Sequence, residues 1–505
     1  MTMRFSHFLA GVSAAGLTLP AVAQTAPPQS VAPAPMAAAP TETLREAMVK
    51  AYNTNPDLFA ERANLRATDE NVPIARSSGL PGVNSTGGYT ENLYNSDGGV
   101  GPVRQGSAGV NLSVPVFTGG SVRNSVRAAE TRVEAGRAGL RSAETQLFTD
   151  VVTAYLDVIR DEAIVGLNQQ NVRVLEVNLQ ATRDRFEVGD LTRTDVAQSE
   201  ARLALSQSQL RGAEASLIGS RENYIRVVGT PPGVLATPPA LPNLPASPTQ
   251  AVEVALEENP SLDAAEKARD ATVFDVNVAR ASRLPQVSVG VGGDYYNRFG
   301  SISGPGQLAG LRNDGFASTA GVNLTLPLFQ GGRPAAQVRQ AQARQSQAIE
   351  QVTSTERGVI AQTRSAYAFW QSAQRVIESS SLAVSANRLS LEGVRAENSV
   401  GTRTILDILN AEQELLNSQV QLVTAERDAY VAGFAVLAAM GRAEAGDLGL
   451  DGGPLYDPLT NYNRVRRSVS DWRDNETPEA EATRTVDSPA QTPVVSGPID
   501  PVRPR

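Results

Sequence analysis

The sequence predicts a mainly α-helical chain that also carries strands of a membrane β-barrel, the whole built as an internal duplication. Three observations lead there. A strand-plus-helix unit occurs twice at a nearly constant offset. Each copy holds two segments of alternating apolar and polar residues, about as long as a tilted membrane strand. Each copy then holds a proline-free stretch with three-and-four spacing, long enough for a coiled-coil helix.

From the N-terminus, residues 1–23 read as a secretory signal: Arg4 gives the positive start, Phe8 to Leu19 the short apolar run, and Ala21-Val22-Ala23 the cleavage site. Residues 24–40 are rich in Pro and Ala without periodicity, which predicts a disordered leader. The first copy follows at 41–230. Its motifs return in the second copy, 249–445: Asn55-Pro56 as Asn259-Pro260 and Leu80-Pro81 as Leu284-Pro285, both 204 positions on. From Gly109 to Gly120, GVNLSVPVFTGG returns as GVNLTLPLFQGG at Gly321 to Gly332, now 212 positions on. Val188-Gly189, Asp195, Glu200 and Gly229 keep that offset, at Val400-Gly401, Asp407, Glu412 and Gly441. The change from 204 to 212 puts eight extra residues between Pro285 and Gly321, where a loop absorbs them.

Strands are predicted at about 82–94 and 106–117, and again at 286–297 and 316–328. Val110, Leu112, Val114 and Val116 alternate with Asn111, Ser113 and Pro115, as Val287, Val289 and Val291 do with Ser288 and Gly290. An ordinary half-buried hairpin would show the same alternation. The long helices, at about 119–187 and 331–398, favour the membrane reading. Val122, Val126, Ala129, Val133, Gly136, Leu140, Ala143, Leu147, Val151, Ala154 and Val158 form one seam, and Val338, Val352, Val359, Gln362, Ala366 and Phe369 belong to its counterpart. At 1.5 Å per residue each helix runs about 100 Å, several times a bilayer. Shorter helices near 56–78 and 192–228 stack to a similar length. A proline-rich linker, 231–248, joins the copies, and the mixed-charge, proline-containing stretch 446–505 predicts a disordered tail.

Chemistry is narrowed by what is missing. The chain has no cysteine and one histidine, His7 inside the signal, so the mature protein has no Cys/His zinc site, Ser-His-Asp triad or Cys-His nucleophile. No phosphate-binding glycine loop occurs, no cofactor is called for, and the expectation is that the chain is not an enzyme. A net charge of -8 argues against nucleic acid as a partner. Four strands cannot close a barrel, since about eight is the smallest number that does, so spanning strands require oligomers. Two chains would supply eight strands and three would supply twelve. A periplasmic coiled-coil adaptor is the alternative, but one such hairpin flanked by half-domains would not carry duplicated strands. A porin would show many more strands and few helices.

GVNLTLPLFQGG followed by a long helix, and the turn Val400-Gly401-Thr402-Arg403-Thr404-Ile405-Leu406-Asp407-Ile408-Leu409-Asn410-Ala411, resemble the TolC family of outer-membrane efflux and type I secretion proteins, across nearly all of 41–445. The resemblance implies a homotrimer in outer-membrane lipid, with a twelve-stranded barrel continuing into a periplasmic helical tunnel. It also implies recruitment by a periplasmic membrane-fusion adaptor and an inner-membrane transporter, ABC or proton-driven. Its gate falls at the helix turns: Asp407 in a carboxylate ring, and Arg403 tethered to Thr194 and Asp195. Asn398 and Asn410 stand where the family's best-known member has a closing tyrosine and a second constriction aspartate. Gly189 and Gly401 fall on the adaptor-docking turns, where they also suit left-handed helix caps, and Thr192 and Thr404 each precede a carboxylate by three residues in a helix-start pattern.

Overall fold

The computed structural model describes residues 41–93, 104–300, 312–450 and 455–495. The expected signal and leader, 1–23 and 24–40, lie outside the described residues. In the first copy the order is β1 (Thr41–Glu42), α1 (Leu44–Thr54), α2 (Pro56–Asp69), α3 (Asn71–Ser77), β2 (Gly82–Glu91), β3 (Arg104–Phe117), α4 (Ser121–Glu187) and α5 (Arg193–Val228). After β4 (Val234–Leu235), which pairs in parallel with β1, the second copy runs α6 (Pro248–Glu258), α7 (Pro260–Ala281), β5 (Gln286–Asn297), β6 (Asp314–Thr325), α8 (Arg333–Ser399) and α9 (Ile405–Ala439), and α10 (Pro458–Val465) follows.

The repeated motifs are the joints. Asn55 and Asn259 cap α2 and α7, each side-chain oxygen accepting from two backbone amides of the first turn. Their amide groups donate back, Asn55 to the carbonyl of Val227 at 3.0 Å and Asn259 to that of Ala439 at 2.9 Å. One residue type therefore caps the upper short helix and stitches it to the end of the lower one. Gly119-Gly120 and Gly331-Gly332 turn strand into helix with positive φ throughout, a conformation other residues adopt only at a cost.

The first-copy stretch expected as one helix over 56–78 is two, broken at Glu70. Pro73 has no amide hydrogen for the carbonyl of Asp69, four residues back, so the ladder lapses there. The second copy has Asn277 at the matching place, and α7 runs unbroken for 22 residues.

The four longer strands form one antiparallel sheet in the order β2-β3-β5-β6. Val110 faces Gly293 and Val289 faces Val322 in its register, with an irregularity between Pro115 and Phe117. β2 and β6 are its edges, each with one row of backbone groups left over within a single chain. Among the described residues no helix is long and apolar enough to cross a membrane.

Each long helix has 67 residues, so its length is about 100 Å. In α4, Ala129, Val133, Leu140, Leu147, Val151, Ala154 and Val158 of the expected seam are buried. The α8 seam departs from expectation past Val359: Thr363 and Tyr367 are buried and Phe369 is 68% exposed. Three-and-four spacing favoured Phe369, but Tyr367 can donate its hydroxyl to the carbonyl of Ala246 at 3.1 Å, which lets a polar-tipped ring go inside. Phe369, Leu382 and Leu389 of α8 are all exposed within one chain, the two leucines on one face.

The thickest core sits at mid-height, where Phe148, Tyr155, Tyr224 and Phe434 are fully buried between α1, α4, α5 and α9. Tyr155 donates to the carbonyls of Glu42 and Ala236, pinning β1 and the segment after β4. Beside this core Glu144 faces Tyr52 of α1, Arg62 of α2, Arg141 on its own helix and Glu444 after α9; burial pushes its carboxyl up from 4.5 to about 7, Glu444 adding to the rise and the arginines opposing it. The folded state thus keeps a proton that the unfolded chain has released, so this site's contribution to stability declines as pH rises from 4.5 to about 7. In thermal unfolding on either side of that interval, Glu144→Gln is expected to flatten the decline; an unchanged slope would assign it to other groups.

The expectation of a disordered tail is corrected over 455–495. Residues 451–454 and 496–505 lie outside the described residues. α10 begins with Asp457 capping the amide of Leu459 at 2.8 Å, and the segment docks on the first copy. Asn461 donates to Asp69 at 2.8 Å, Arg137 lies 4.7 Å from the Tyr462 ring, and Arg221 donates to the carbonyl of Val494 at 3.0 Å. Composition predicted disorder because the segment has no core of its own; it orders on side chains supplied by the helices.

Candidate functional site

The two helix turns, α4 to α5 and α8 to α9, are built alike. α4 and α8 end at Glu187 and Ser399, and Gly189 and Gly401 follow with φ of +83° and +84°. In each, two backbone amides close on the last helical turn: Gly189 and Asp190 donate to Phe186 and Arg185, Gly401 and Thr402 to Asn398 and Glu397. A Cβ on either glycine would meet nothing within 4 Å, so backbone conformation and not packing requires glycine there. Thr192 and Asp195 then form a capping box on α5, as Thr404 and Asp407 do on α9. The threonine hydroxyl, and then its backbone amide, hold each carboxylate below its ordinary range, so both aspartates are charged at neutral pH.

Within one chain Arg403 is not joined to Thr194 or Asp195. Its guanidinium donates to Glu397 at 2.7 Å, and Asn398 donates to the carbonyl of Arg403 at 2.8 Å, so both fasten the second turn to itself. Thr194 is exposed at the start of α5. Asn410, by contrast, reaches the first copy: Arg202 of α5 donates to its side-chain oxygen at 2.6 Å.

A second link escaped sequence reasoning. Glu412 of α9 is 5% exposed and accepts from Asn178 of α4 at 2.9 and 3.0 Å and from Arg395 of α8 at 2.9 Å. It ties the first copy's long helix to both helices of the second. Its counterpart Glu200 pairs with Arg183 at 2.7 Å but is half exposed. Arg183 and Arg395 stand 212 positions apart, so the ion pair belongs to the repeat, and that spacing was the available signal. Asn178 has Ser390 as its counterpart, so only the second copy's carboxylate is bridged across. Among the described residues no cluster of acidic, histidine or cysteine side chains is arranged to hold a metal ion.

A family model described as outer membrane efflux protein matches the chain twice, over residues 47–230 and 251–442. The outer membrane efflux protein BepC of Brucella suis is 35% identical over 434 residues, covering 85% of this chain and 91% of its own. The outer membrane protein TolC of Escherichia coli is 27% identical over 474 residues, covering 90% and 92%. Among solved structures, the outer membrane protein VceC of Vibrio cholerae aligns with a TM-score of 0.67 at 22% identity, over 79% of this chain and 96% of that one. The CmeC outer membrane channel of Campylobacter jejuni aligns at 0.69 and 18%, over 84% and 89%. The fold is that of a trimeric outer-membrane channel, with four strands per chain in a twelve-stranded barrel that continues into a helical tunnel in the periplasm. With both copies matched end to end, the adaptor reading falls away, and the chain belongs to the outer membrane efflux protein family, an exit duct of the outer membrane.

Proposed function

We propose that this duct is passive, closed at rest by the α8–α9 turn, and opened there when an inner-membrane transporter and a periplasmic adaptor engage it. The observation that carries the reading is that this turn alone carries Arg403 with Glu397 and Asp407, while its neighbours Asn410 and Glu412 are tied to the first copy. Opening then means that the α8–α9 pair swings away from α4 and α5. Arg202–Asn410 and Asn178–Glu412 are the bonds that swing must break within a chain, and Arg403, Thr194 and Asp195 are the groups available for links between chains.

Asp407 gives one negative charge per chain, three around the axis of a trimer. Asp407→Asn is expected to lower cation over anion permeability in planar bilayers, on the order of twofold. Unchanged selectivity would leave Asp407 with its capping role alone. Gly189 and Gly401, at open turns with no neighbour over them, suit docking by an adaptor's helical tips. Cargo follows the relatives in two directions: BepC is named for efflux, and AprF of Pseudomonas aeruginosa, 29% identical over 294 residues, for alkaline protease secretion. The longer match to BepC favours small molecules. Comparing drug sensitivity with the secreted-protein profile after gene deletion tests this, and a changed protein profile with unchanged sensitivity would reverse it.

A further inference from the structure

In both copies the upper short helix is spliced to the end of the lower one, yet the two splices are held differently. In the second, Arg442 and Glu258 make a two-pronged ion pair at 2.7 and 2.9 Å, tying the chain just after α9 to the end of α6. At the matching first-copy positions stand Thr230 and Thr54, 212 and 204 residues earlier. Thr54 donates to the carbonyls of Lys50 and Val228, at 2.9 and 2.8 Å, and the buried Thr230 hydroxyl has no partner. The first splice therefore lacks the ion pair.

What the first splice has is the segment 455–495, anchored on both sides of the joint. On the upper side the Tyr456 amide donates to the Tyr52 hydroxyl at 3.1 Å, and the Tyr456 ring lies 5.0 Å from the guanidinium of Arg62, a buried residue also set over Tyr52 at 4.4 Å. On the lower side Arg221 of α5, 7% exposed, donates to the carbonyls of Thr492 at 2.5 Å and Val494 at 3.0 Å while also holding Glu162. Next to it Glu222 accepts from the Gln491 amide at 3.2 Å. A guanidinium covered by a distant extended segment and donating to two of its carbonyls, with Glu162 on its other side, is a charge-assisted anchor for that segment. The β1–β4 pair joins the chain ends flanking α1 and α5, whereas this strap grips the helices themselves.

We propose that the C-terminal strap is a splint for the first-copy splice, taking the place of the Arg442–Glu258 ion pair that only the second copy carries. Both splices are then locked, and motion of the helices is confined to the tip.

The test is amide hydrogen exchange on the assembled protein, comparing the first splice (50–62 and 221–230) with the second (254–266 and 433–442). Removing residues 455–505 is expected to speed exchange at the first splice about tenfold and leave the second unchanged. Adding Thr54→Glu with Thr230→Arg to the shortened chain supplies the second copy's ion pair and is expected to restore protection. Should the shortened chain not assemble, Arg221→Lys with Tyr456→Ala in the full chain carries the same expectation. Unchanged exchange at the first splice, an equal rise at both, or no rescue by the transplanted pair would overturn the proposal.

Discussion

Replacing Arg403 by Glu is expected to raise the open probability of the duct in planar bilayers on the order of tenfold, the scale on which a single switching link acts. The reversal removes the pair with Glu397, sets a like charge beside it and brings another near Asp407. Because the turn is fastened to itself through Arg403, it loses its closed shape as well as any link to a neighbouring chain. Arg403→Ala should lie between wild type and the reversal. A closed-state conductance unchanged in both variants would show that Arg403 does not hold the gate, leaving Arg202–Asn410 and Asn178–Glu412 as the closing links. Thr404 and Asp407, which form the helix cap, are left in place, so the turn remains folded while the lock is altered.

The largest effect on stability is expected at Gly441. Its φ is +77°, and an added Cβ would come within 2.3 Å of the carbonyl oxygen of Glu258, a backbone atom that cannot swing aside. Gly441→Ala combines left-handed backbone strain with displacement of the second splice, a loss on the order of 3 kcal/mol. Gly401→Ala meets the same backbone condition in open space and is expected to cost about 1 kcal/mol. Thermal unfolding of the two variants beside wild type measures the difference. Equal losses would show that the close approach at the splice adds nothing to the backbone term. Gly229 should fall between them, since its neighbour is the Thr54 side chain at 2.9 Å, which can rotate.

Much of this molecule is legible before it folds. Alternation, three-and-four spacing and the Gly-Gly motifs put β2, β3, β5, β6, α4, α5 and α8 within about three residues of their limits, whereas α1, α6, α10 and the break at Glu70 were not read from the sequence. These signals are local: helix caps, turns and helical ladders use partners two to five residues away, alternation marks each strand by itself, and the duplication presents each signal twice. The family follows from the same motifs, and with it the barrel that one chain cannot close.

What was not legible is partner choice among side chains. Arg403 had several carboxylates to choose from and took Glu397, in its own turn, while Glu412 was claimed from both Asn178 and Arg395. The tail read as disordered because composition counts only what a segment brings, and Arg221, Arg62 and Arg137 bring the rest. Tyr367 displaced Phe369 from the seam because the carbonyl of Ala246 lay within reach of its hydroxyl. By itself the sequence determined the duplicated strand-and-helix frame, because a helix closes its hydrogen bonds on near neighbours and a strand shows its alternation before it finds a partner. Only the tertiary structure decided which charges meet across the splice and at the tip, because that depends on how helix faces and turns are brought together, from six positions apart at Arg403–Glu397 to 184 at Arg442–Glu258.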